Sequence, residues 1–136
     1  MSTDLGDQLP SDLLAKLSAP MSPSGGTAIP ICTIDPNGWP HPALLSANEV
    51  SAPNNTSLVV ATFDGTTTTR NLRANGKLTL VFVDDSMTYY VKGTATAGDT
   101  ASGIVSSTIT VTHVLSDAPG ASEEGARITS GITFEW

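Results

Sequence analysis

"TFDGTTTTRNLRANGKLTLVFV", Thr62 to Val83, decides how this chain is read. Two strand-like runs flank four consecutive threonines, a short helical pattern and an Asn-Gly stop. Asp64 or one of the threonines can cap the helix start, Leu72 points inward, and Asn75-Gly76 supplies a left-handed stop. The helix is expected between Thr68 and Asn75. Its N-terminus leaves N–H groups free and carries about half a unit of positive charge. The hydroxyls of Thr66, Thr67, Thr68 and Thr69 add donors. Arg70 and Arg73, two of only three arginines in the chain, lie three apart and so share a helical face. These are the parts of a phosphate site. They are equally the parts of a capped linker helix with solvated arginines, and the residues alone leave both open.

Working outward, the flanking segments alternate and turn like strands of one antiparallel sheet. "TAIPICTID" ends in Asn37-Gly38, a hairpin signal, and "WPHPALLSANEV" returns. Pro40 and Pro42 cannot donate to a ladder, which puts the first half of that strand at an edge or outside the sheet. Strands are expected near residues 28–35, 41–50, 57–63, 77–84, 87–97, 104–116 and 127–135. In "IVSSTITVTHVLS" the alternation sets Ile109, Val111, His113 and Leu115 on one face and Thr108, Thr110 and Thr112 on the other. Gly131 marks a bulge or a close approach. Toward the N-terminus, Ser11 followed by "DLLAKLSA" reads as a short amphipathic helix with Leu13, Leu14 and Leu17 inward. The breaker-rich stretch 20–26 reads as a connector. The expected organisation is therefore a helix and connector over 1–26 and a barrel domain over 27–136. The fold class is all-β with two short helices, an antiparallel barrel or sandwich.

Composition narrows the function classes. A net charge of −7 argues against a general nucleic-acid surface, which needs clustered Lys and Arg. No apolar run approaches the ~20 residues of a membrane helix, and the N-terminus lacks a signal pattern, so a soluble, cytoplasmic protein is expected. The single cysteine, Cys32, excludes an intramolecular disulfide and reads as a small buried hydrophobe. Asn54 and Asn55 begin glycosylation sequons that carry no weight without secretion. His41 and His113, the two histidines, have no third partner for a zinc site. His113 reads as a core or interface residue or one beside a bound ligand, and His41 as exposed. Asp84-Asp85 and Glu123-Glu124 read as solvated turns. Of Tyr89 and Tyr90, one is expected inside and one outward.

The order strand, T-F-x-G-T-T-T-T-R-N-L-R-A-N-G, strand L-T-L-V-F-V, turn, Y-Y-V-K-G-T-A resembles the flavin-binding split barrels related to pyridoxamine 5'-phosphate oxidase. The upstream "NGWPHPALLSANEV" resembles that family's hairpin strand, and the likeness covers about Ile29 to Ala97. The resemblance implies a split β-barrel homodimer with FMN at its interface. It implies phosphate ligands drawn from Thr66, Thr67, Thr68 and Thr69, with Arg70 nearby. It places Thr62 beside the flavin ring, and Leu45 and Ser46 on the strand packed against it. The chain departs from the pattern where the family usually carries Lys or Arg, here Thr68, and where the hairpin strand often carries Arg, here "HPALLS". Two functions follow as expectations. One is an FMN-binding oxidoreductase passing electrons or hydride to a small-molecule acceptor. The other is a binding protein without turnover, which has lost flavin or holds another anionic ligand such as the deazaflavin F420.

Overall fold

The computed structural model describes residues 1–18, 27–85, 87–118 and 125–134. The expected connector at 20–26, Ser86 of the turn after Asp85, the Glu123-Glu124 pair and the end of the last expected strand lie outside the described residues. In chain order the elements are β1 (Ser2–Gly6), α1 (Ser11–Ser18), β2 (Ile29–Ile34), β3 (Pro40–Leu45), a 3-10 turn (Ala47–Glu49), β4 (Val50–Asn54), β5 (Ser57–Phe63), α2 (Thr67–Ala74), β6 (Lys77–Asp84), β7 (Met87–Ala101) and β8 (Ile104–Asp117).

All strand pairs are antiparallel, and the sheet runs β3-β2-β6-β7-β8-β5-β4 with β1 added on β8. The end strands β3 and β4 do not pair, so the barrel is split. Alternation produced this directly: β5 buries Leu58, Val60 and Thr62, and β6 buries Leu78, Leu80 and Phe82. The apolar ones among them meet Ile31, Val91 and Ile109 in one cluster, joined by Leu9, Leu13 and Leu17 from the N-terminal segment. Each fully buried aliphatic side chain contributes roughly 1.5–3 kcal/mol. The β2–β3 hairpin closes as its Asn-Gly sequence requires. Asp35 accepts from the Asn37 and Trp39 N–H groups, and Gly38 takes a φ of +82°. β3 is an edge strand, as its prolines demand.

Four expectations are corrected. The run 41–50 is not one strand. After Leu45 the chain folds into the 3-10 turn, because the Ser46 N–H and hydroxyl both donate to the Glu49 carboxylate. This is a Ser-x-x-Glu cap inside what looked like a strand. No strand forms at 127–134; the segment makes one isolated bridge, Thr27 to Thr133. β2 is paired with β3 along its length and with β6 at Ile31, Cys32 and Thr33, and the segment meets the chain only just before β2, where the Ala28 N–H donates to the Ile132 carbonyl. Gly131 is nevertheless a close approach, since a Cβ there would lie 2.9 Å from Thr27 Cγ2 and 3.0 Å from Val83 Cβ. On β8, Lys92 pairs with His113 but Gly93 with Val111, so Thr112 is an extra residue. That bulge reverses the alternation: Val114 is buried and His113 and Leu115 are only half-buried. Finally, Cys32 lies half-exposed on the outer sheet face instead of in the core.

Candidate functional site

The span from Thr62 to Val83 forms a β5–loop–α2–β6 corner. Thr66 is the N-cap of α2, in extended backbone, and its side chain accepts from the Thr69 N–H at 3.2 Å. Thr69 is buried. Its hydroxyl lies 2.6 Å from the Phe63 carbonyl and 2.7 Å from the Thr62 hydroxyl. One proton assignment uses every hydroxyl donor and leaves the 3.0 Å Thr66–Thr69 contact without a proton. Thr62 donates to Thr69, while Thr69 and Thr66 each donate to the Phe63 carbonyl. The far end of α2 is fixed as firmly. Asn71, buried, donates from Nδ2 to the Thr33 hydroxyl of β2 at 3.0 Å, and Leu72 enters the core. Gly76 ends the helix at a φ of +80°, and its carbonyl accepts from the Ala95 N–H. The Asn-Leu pair is thus an anchor: one residue ties the helix to β2, the next to the core.

A groove of about 290 Å³ runs between β3 and the start of α2, lined by His41, Ala43, Leu44, Leu45, Glu49, Thr62, Phe63, Thr66, Thr67 and Thr68. It adjoins a second depression of about 390 Å³ that shares Glu49, Thr62 and Phe63 and adds Ser46, Asn48, Ala61 and Ile104. Of the residues singled out from sequence, Leu45, Thr62, Thr66, Thr67 and Thr68 line the first groove and Ser46 the second. Thr69 stands behind it as a structural hydroxyl. Arg70 is exposed, and its guanidinium donates to the Gly65 carbonyl and the Thr67 hydroxyl. Arg73 reaches Thr100 on β7, so the two arginines do not converge on one point. Five lining residues stand outside the set expected from sequence, His41, Ala43, Leu44, Glu49 and Phe63, and His41 and Glu49 are the two that can carry charge. His41 shares a strand face with Ala43 and Leu45, a spacing of two that would have flagged it.

What remains free in the groove is specific. The Thr67 and Thr68 N–H groups open the helix and have no intrahelical partner. Thr68 is buried as a residue, and its hydroxyl, which has no hydrogen bond among the described residues, stays open to solvent. The Thr67 hydroxyl accepts from Arg70 and keeps its own proton to donate. These groups fit the phosphate end of a ligand, while Ala43, Leu44, Leu45 and Phe63 offer apolar surface to the rest. Glu49 carries a charge of the opposite sense, partly satisfied by Ser46. A larger depression of about 550 Å³ on the outer face of β2, β6, β7 and β8 holds Lys77 and Lys92 but none of these groups.

The sequence profile of the pyridoxamine 5'-phosphate oxidase family matches residues 25–108, well over half of the chain. The chain belongs to that family. The matched span contains both walls of the groove. A curated relative, the uncharacterized protein YclD of Bacillus subtilis, is 35% identical over 60 residues, which is 44% of this chain and 39% of that protein. The chain therefore matches well under half of that relative's length. A crystal structure of a candidate pyridoxamine 5'-phosphate oxidase from Lactobacillus delbrueckii superimposes with a TM-score of 0.66 at 13% identity, covering 82% of this chain and 97% of that one. An FMN-binding protein from Syntrophomonas wolfei gives a TM-score of 0.60 at 14% identity, covering 80% and 88%. At these identities the likeness is one of fold. It accounts for the split barrel.

Proposed function

We propose that this family member binds FMN, with the phosphate at the N-terminus of α2 and the ring system toward Leu45, Thr62 and Phe63. The observation that carries the proposal is Thr68. Its hydroxyl, open to the groove and without a hydrogen bond among the described residues, lies beside two free helix N–H groups, so three donors are left for one anionic ligand. FMN, when bound, supplies the electron or hydride chemistry; the chain supplies binding, orientation and a dry apolar wall. The reaction class would then be electron or hydride transfer to a small acceptor, in a cytoplasmic homodimer. Leu44, Phe63 and Ile104, all exposed large apolar residues around the groove, support a second copy covering it. The test is fluorescence titration of FMN into purified protein. Saturable quenching that Thr67→Ala and Thr68→Ala weaken supports the proposal, and flat fluorescence contradicts it.

A second reading rests on the lining itself. It carries no lysine or arginine and includes Glu49, which favours a weaker or different anion over tightly held flavin. In that reading the same N–H groups hold another phosphate-bearing ligand, F420 included, without redox turnover. The absorption spectrum of the protein as purified separates the two.

A further inference from the structure

We infer that His41 supplies the positive charge for the anion held in this groove, so that binding there strengthens as the imidazole protonates; the inference rests on the phosphate reading above. Among the residues lining the groove, His41 is the one able to become cationic. Arg70, the nearest arginine in sequence, is not among the lining residues and is engaged with the Gly65 carbonyl and the Thr67 hydroxyl. The imidazole enters from β3, and Thr66, Thr67 and Thr68 line the groove from the α2 side. Its backbone is stiff for two reasons. Pro42 confines the residue before it to extended conformation, and His41 is paired in register with Thr33 of β2. A half-buried side chain on such a segment loses little freedom when a ligand arrives.

The other charged groups around it define the pH window. Glu49 faces it from the 3-10 turn, held by Ser46. Asp64, exposed in the loop before α2, accepts from the Gly65 N–H. Arg70 lies on the first turn of α2. β2 presents the neutral Thr33, and β5 presents Thr62 and Phe63. Carboxylates ordinarily stay ionised and guanidinium stays protonated across the neutral range, in which imidazole is the side chain that changes charge. Between about pH 8 and about pH 6, histidine is therefore the residue type here that changes charge. A phosphate monoester has its second pKa near 6 and loses charge in the same direction. Any gain in affinity on acidification must then come from the protein.

With two histidines in the chain, a two-signal imidazole spectrum reports the site by NMR. Inorganic phosphate is expected to raise the titration midpoint of His41 and leave that of His113 unchanged. FMN is expected to bind about tenfold more tightly at pH 6 than at pH 8, one charge-assisted contact being worth that much. His41→Gln should abolish the gain, and His41→Lys should keep tight binding at pH 8. Riboflavin, which lacks the phosphate, should show no gain in wild type. A His41 signal unmoved by phosphate and by FMN overturns the inference in wild-type protein, whatever the variants do. If FMN binds and His41→Gln keeps the same pH profile, the flavin reading stands and the role of His41 falls. If phosphate moves His41 but FMN does not bind, the flavin reading falls and the role of His41 stands.

Discussion

Thr68 and Thr69 are adjacent, chemically identical and opposite in what they do. Thr69 turns inward and closes a network with Thr62, Thr66 and the Phe63 carbonyl. Thr68 faces the groove with its hydroxyl unspent. The sequence showed four hydroxyls at a helix start but not which of them the fold consumes, because one residue of helical rotation decides it. The consequence is testable. Thr69→Val keeps the shape, orphans buried oxygens and should destabilise the fold by about 1–3 kcal/mol in urea melts. Thr68→Val should leave the urea midpoint nearly unchanged and weaken ligand binding. Equal destabilisation by both would contradict the division of labour. Asn71→Ala removes the only partner found for the buried Thr33 hydroxyl among the described residues, and should also cost about 1–3 kcal/mol.

At the scale of elements, strands with clean alternation were legible to within a few residues, β5 and β6 at both ends. The elements that escaped have local causes. β1 is exposed along its whole length and has no alternation to read. The Ser46–Glu49 cap interrupts an apolar run, and the Thr112 bulge flips β8 past Val111. Close contact at that bulge makes Gly93 obligatory: a Cβ there would lie 2.5 Å from the Thr110 carbonyl oxygen. Gly93→Ala should therefore break the β7–β8 ladder, read as lost amide protection on both strands. β1 is held to β8 partly by carboxylates. Asp4 accepts from the Gly6 N–H and lies 2.9 Å from His113 Nε2, which together hold its carboxyl below the ordinary range. Tyr90 and the Met1 amine do the same for Asp117. A depressed carboxyl stabilises fully above its unfolded value, near 4, and ceases to as pH falls through the lower folded value. β1 amides should thus lose protection as pH falls below about 4, before those of β5 do. Simultaneous loss would show that these contacts do not hold the strand.

The whole molecule was legible as a family and a topology because strand order, the Asn-Leu anchor and the Gly stop are local signals that survive in one sequence. The groove was legible only in part. His41 and Glu49 come from a hairpin strand and a capped turn that meet α2 only in three dimensions. The apolar rim of Leu44, Phe63 and Ile104 bears on assembly. Phe63→Asp should shift the protein from a dimer, about twice the 14.0 kDa chain mass in light scattering, toward a monomer. A wild type that scatters as a monomer at micromolar concentration would contradict the dimer. The central claim is a phosphate-bearing flavin seated at the start of α2, and its most direct test is an FMN fluorescence titration of wild type beside the Thr67→Ala/Thr68→Ala double variant. The expected result is saturable wild-type binding below about 100 µM and at least tenfold weaker binding by the variant, since two contacts to a charged group at ~1.5–3 kcal/mol each are lost. No saturable binding by wild type, or equal binding by the two proteins, would contradict it.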